Sequence, residues 1–88
     1  MDDIAKLLHE RPNLNLFVVG HTDNVGEFDF NLKLSKDRAN AVVAALVRDY
    51  EVAVSRLSAH GVGPLSPKAT NASDAGRGKN RRVELVAR

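Results

Sequence analysis

The chain has no cysteine and no tryptophan, and only 5% of its 88 residues are aromatic. The lack of cysteine excludes disulfides, thiolate metal sites and thiol catalysis. It leaves the compartment open, because many proteins outside the cytoplasm also lack cysteine. No apolar run approaches the roughly 20 residues that span a bilayer. The opening residues MDDIAKLL have neither a cationic start nor a cleavage site, so no export signal is read here. The formal net charge of +2 is too small to point to nucleic acid. Apolar residues make up 43% and charged residues 27%, the balance of a globular chain with one modest core. No repeat or low-complexity linker divides it, so residues 1–88 are read as a single domain.

Ile4, Leu7 and Leu8 mark one helical face, and Arg11-Pro12 ends that helix. A strand from Leu14 to Val19 follows. Its Leu, Phe and Val residues on both faces suit a central strand, covered on at least most of one side and partly on the other. Gly20 releases the chain into a polar loop. Ser35 is the expected N-cap of a second helix, whose Ala39, Val42, Val43, Leu46, Val47 and Tyr50 form a core stripe. Arg56 to Val62 reads as a strand. Gly63 to Lys79 reads as a long loop with room for one helical turn starting at Ser73. Arg82 to Ala87 alternates as a half-buried strand. The expected fold is a two-layer α/β sandwich with a mixed sheet packed on helices.

The stretch Gly20 to Ala39, GHTDNVGEFDFNLKLSKDRA, is the most informative. His21, Thr22 and Asp23 fall where a strand meets its loop, a position that favours binding residues. Arg38 falls in the expected first turn of the second helix, where a cation opposes the helix dipole at a cost of roughly 0.3–1 kcal/mol. Such a charge calls for a partner. Either Asp23 pairs with Arg38 within the chain, or both await a ligand carrying both signs of charge. Gly26 suits a turn with positive φ. The amides of the Asn24 to Gly26 turn are possible donors to a carboxylate.

Catalysis finds no support in the spacing. His9, His21, Asp23, Ser35 and His60 supply hydrolase residue types, but neither a G-x-S-x-G elbow nor an H-E-x-x-H pair is present. His21 and Asp23 could share a metal only with a third ligand from elsewhere, so no metal site is assigned. His21 is expected to fix the loop by hydrogen bonding. Gly76 and Gly78 beside Lys79 lack the spacing of a phosphate loop. The basic run from Arg77 to Arg82, RGKNRR, could attract anions or nucleic acid. No aromatic residue interleaves it, so it offers no base-stacking platform, and the arginines could equally solvate a strand edge.

GHTDNVG, then Asn31, then LSKDRA with Val42, Val43 and Leu46, and finally GRGKNRRVEL together resemble the OmpA-like domain, the peptidoglycan-binding module of many envelope proteins. The resemblance runs from about Ile4 to the end, and the combined spacing is far more specific than any one motif. It implies a non-catalytic anchor without cofactor or metal. It also implies a diaminopimelate residue of the peptidoglycan stem peptide gripped by Asp23 and Arg38. Thr22 and Asn31 would be second contributors, although Asn31 could serve only as a loop staple. In the family one arginine of NRRVE helps form the pocket, and Arg81 is chosen over Arg82.

The chemistry suits those residue types. The free end of diaminopimelate is a zwitterion, whose carboxylate Arg38 can take with a bidentate fork and whose ammonium Asp23 can receive. The family opens with a strand ahead of its first helix, whereas this chain opens inside that helix. We therefore expect an excised piece of a longer envelope protein, truncated at the N-terminus, with an unpaired strand edge where that strand is missing. It would sit at the periplasmic face of the envelope, its parent attached to a membrane, by expectation the outer one. The alternative is a stator or secretion-system component in which such a domain acts mainly in homodimerisation and assembly.

Overall fold

The computed structural model describes residues 1–88. Helix α1 (Asp2–Glu10) sends Ala5 and Leu8 into the core and leaves Leu7 at its rim. The last helical residue lies two before Pro12, which has no N–H to continue the ladder. The Arg56 guanidinium caps this end by donating to the carbonyls of Leu8, Arg11 and Leu14.

Strand β1 (Leu16–His21) starts and ends two residues later than the sequence suggested, so Gly20 and His21 belong to the strand. It is the central strand, parallel to β2 (Leu57–Gly61) and antiparallel to β3 (Arg82–Ala87), which gives the order β2-β1-β3. The mixed sheet and its helices form the expected two-layer sandwich. Leu16 and Val18 pack with Ala39, Leu46, Val52 and Leu57, while Phe17 and Val86 on the other face are exposed. Leu8, Val18 and Leu46 are fully buried, each stabilising the fold by about 1.5–3 kcal/mol. The outer edge of β3 carries no strand.

Helix α2 (Phe28–Tyr50) corrects the expected boundary: it begins after Glu27, and Ser35 lies in its second turn. Nothing between Phe28 and Leu34 breaks a helix, and Asp29 suits the positive N-terminal end. Ser35 is instead a buried contact: its hydroxyl accepts the Gly63 amide at 2.9 Å and donates to the Leu32 carbonyl. The sheet meets the helix backbone there. A Cβ at Gly20 would lie 2.0 Å from the Ser35 carbonyl oxygen, and one at Gly61 would lie 2.3 Å from the Lys36 nitrogen. The helix ends at Glu51, a non-glycine residue in the left-handed conformation with φ 58°.

A 3-10 turn, Val54–Arg56, precedes β2. The expected loop from Gly63 to Lys79 contains helix α3 (Asp74–Asn80), about two turns rather than one. Ser73 is its N-cap and accepts the Gly76 amide at 3.0 Å. No helix is long and apolar enough to cross a membrane.

Candidate functional site

The site forms where β1 runs into its loop. The antiparallel register sets His21 opposite Arg82, which brings the residue before Arg82 to the residues that follow His21. Asp23 is 8% exposed. Its Oδ1 accepts the Val25 amide at 3.0 Å, an Asx turn, and its Oδ2 accepts Nη1 of Arg81 at 2.7 Å. The Val25 amide, with the Arg81 guanidinium beside it, holds the Asp23 carboxyl below its ordinary value despite burial. The expected pair with Arg38 is not formed.

Arg38 occupies the interior of α2 rather than its first turn, so the dipole cost argued from sequence does not arise. It is half-buried and has no ion pair of its own. It lines a pocket of about 480 Å³ between α2 and β3 together with Ala41, Val42, Arg81, Arg82 and Val83. Three guanidiniums therefore border an apolar floor, with Asp23 behind Arg81. That arrangement can receive a carboxylate on Arg38.

The two other residues expected here hold the loop. The Thr22 hydroxyl donates to the Asp23 carbonyl at 2.8 Å, and the Thr22 amide donates to the Gly63 carbonyl. Asn31, buried in the first turn of α2, donates to the Val25 carbonyl at 2.9 Å. The Val25 amide, read from sequence as a donor to ligand, is committed to Asp23. Gly26 does take a positive φ, 93°.

His21 departs from expectation. It is 4% exposed, and neither ring nitrogen has a hydrogen-bond partner. Nε2 lies 3.7 Å from Glu84 Oε2. Glu84 accepts Nε of Arg82 at 2.5 Å, and Arg82 also reaches the carbonyls of Ser66 and Asn80. Burial first, then the Arg82 charge, lowers the His21 pKa, with Glu84 and the nearby Ser66 backbone opposing. His21 thus packs behind the site, beside the Ser66 backbone, without a hydrogen bond of ordinary geometry.

Sequence reasoning missed Asn80. It is fully buried, accepts the amides of Lys68 and Ala69, and donates to the Ala69 carbonyl and the Asn71 side chain. It orders the 68–71 loop immediately before Arg81. The only signal was an uncharged polar residue amid a basic run.

Comparison with known proteins agrees with this architecture. A probable lipoprotein, YiaD, of Escherichia coli is 40% identical over 83 residues, covering 94% of this chain and 37% of its own length. The peptidoglycan-binding protein ArfA of Mycobacterium tuberculosis is 38% identical over 86 residues, 98% of this chain and 26% of that protein. The chain therefore spans only about a quarter to somewhat over a third of these relatives. The peptidoglycan-associated lipoprotein from Burkholderia pseudomallei superposes with a TM-score of 0.91 at 31% identity, covering 98% of this chain and 72% of that one. The C-terminal domain of Helicobacter pylori MotB gives 0.89 at 32% identity, covering 99% and 67%. Residues 1–81 match the OmpA family, and the chain belongs to it.

Proposed function

We propose that this domain binds peptidoglycan without covalent attachment and anchors a parent envelope protein to the cell wall. The observation that carries the reading is one pocket lined by an unpaired guanidinium, Arg38, and by Arg81, which is hydrogen-bonded to the buried carboxylate of Asp23. The ligand is the diaminopimelate residue of a stem peptide, its ammonium on Asp23 and its carboxylate on Arg38. The names of ArfA and the peptidoglycan-associated lipoprotein support the same class of ligand. The domain works at the periplasmic face of the envelope, with the parent in the outer membrane.

An NMR titration with a diaminopimelate-containing stem peptide, run beside Asp23→Ala and Arg38→Ala, tests this. Shifts confined to residues 22–26, the α2 turn around Arg38 and Arg81, and lost in both variants, are expected. A lysine-containing stem peptide lacks the carboxylate for Arg38 and is expected to bind much more weakly. Equal binding of the two peptides defeats the reading.

A further inference from the structure

We infer that Asn80 is a positioning residue of the site: by locking the end of α3 onto the 68–71 segment, it aims Arg81 at Asp23. Its consequence for binding rests on the stem-peptide reading above, whereas the contact between Arg81 and Asp23 does not.

Asn80 has no exposed surface, and its carboxamide uses its full hydrogen-bonding capacity. Oδ1 accepts the amides of Lys68 at 2.8 Å and Ala69 at 2.9 Å, and Nδ2 donates to the Ala69 carbonyl at 3.0 Å and to Oδ1 of Asn71 at 2.8 Å. Aspartate lacks the two N–H groups, and glutamine is a methylene too long. With seven residues, α3 cannot hold its place alone, since isolated helices below about 12–15 residues are marginal. Its position is set by what it touches. Besides Asn80, Gly76 is backed against the Thr70 carbonyl with no room for a Cβ, and Nη1 of Arg77 donates to the Asn71 carbonyl at 2.9 Å. Asn80 thus makes four of the five hydrogen bonds between α3 and residues 68–71.

Arg81 follows directly. Its amide closes the last turn of α3 on the Arg77 carbonyl at 3.2 Å, and β3 begins at the next residue. Its guanidinium lies between that helix and the loop: a Cβ on Gly78 would meet Nη2 at 3.5 Å, and Nη1 donates to Asp23 at 2.7 Å. No second hydrogen bond holds this side chain, which is 48% exposed. Strand pairing fixes Arg82 opposite His21 but not the direction in which Arg81 leaves α3. The helix sets that direction, and Asn80 sets the helix.

The test reads Asp23 itself. Its carboxyl is titrated by carbon-detected NMR in the wild-type domain, Arg81→Gln, Asn80→Ala and Asn71→Ala, with Val52→Ala as a control that weakens the core without touching α3. Arg81→Gln removes the guanidinium and sets the size of the upward shift in the Asp23 pKa. Asn80→Ala is expected to reproduce much of that shift, and Asn71→Ala, which deletes one of the four bonds, a smaller part of it. Val52→Ala is expected to leave Asp23 titrating as in the wild type. Circular dichroism confirms that each variant is folded, and if Asn80→Ala is not, Asn71→Ala decides.

An unshifted Asp23 in the deciding variant overturns the inference, because Asn80 would then only stabilise α3. An unshifted Asp23 in Arg81→Gln does the same, as does an equal shift in Val52→Ala. Calorimetry with a diaminopimelate-containing stem peptide is expected to show about tenfold weaker binding by Asn80→Ala and unchanged binding by Val52→Ala. Wild-type affinity in Asn80→Ala overturns the inference while the anchor reading stands. Absence of binding by the wild-type domain overturns the anchor reading, and the Asp23 titration then judges Asn80 alone.

Discussion

Arg81 donates a 2.7 Å hydrogen bond to Asp23 across 58 residues of sequence, while Arg38, only fifteen positions from Asp23, is left unpaired. The two ligand-binding candidates therefore differ in what they do for the empty domain. Asp23→Ala removes an Asx turn and a partly buried ion pair and is expected to cost about 1–3 kcal/mol of stability. Arg38→Ala breaks no observed polar contact and is expected to stay within about 0.5 kcal/mol. Both should lose stem-peptide binding. Urea melts read beside the binding titration check the contrast.

Acid should weaken the domain in two steps. His21 has a folded pKa below its ordinary 6.5, so at intermediate pH the unfolded chain takes a proton that the folded chain refuses. Its contribution to stability is full above about pH 6.5 and declines as pH falls from there to its folded value. Asp23 and Glu84 are also lowered, from 3.8 and 4.5. Their contributions are full above those values and are lost as pH falls through the lower folded ones. Melting temperature against pH is expected to show both declines, and His21→Asn to remove the first and keep the second.

Arg56, in the 3-10 turn before β2, ties the end of α1 to the segment that leads into β1 through one guanidinium. Arg56→Ala leaves three carbonyls without that donor and is expected to cost about 2–4 kcal/mol, with hydrogen bonds to a charged donor near 1.5–3 each. Arg56→Lys should recover little, because one ammonium cannot reproduce the fork. Chemical denaturation measures both.

Glu51→Gly is expected to stabilise the domain by about 0.5–1 kcal/mol. Glycine takes the left-handed conformation after α2 without the Cβ clash. A fall in the denaturation midpoint would contradict this.

The sequence showed what local chemistry decides. The end of α1 was legible from Pro12, the bounds of β3 from strict alternation, and the core stripe of α2 from its period. The start of α2 was not, because Ser35 has the chemistry of an N-cap but is used by Gly63, 28 residues away. Helix α3 was read mainly as loop because small and polar residues fill the stretch around Ser73, yet Gly76 is required within it, since a Cβ there would lie 1.8 Å from the Thr70 carbonyl oxygen. The residue types of the site were visible, but the partner of Asp23 was not. Distance along the chain favoured Arg38, whereas the β1–β3 register brings Arg81 alongside. His21, expected to bond, is buried with no partner because strand pairing places it beneath Arg82 and Glu84.

The bare glycine seam between β1, β2 and α2 has a mechanical meaning. Asp23 rides on the end of β1 and Arg38 on α2, and at Ser35 those two supports touch main chain to main chain. At Gly20 the nearest helix atoms are main chain, and a ratchet of the helix would drive Ser35 off both glycines. Tension on a ligand held between Asp23 and Arg38 would pass directly from helix to sheet, a stiff load path suited to a tether.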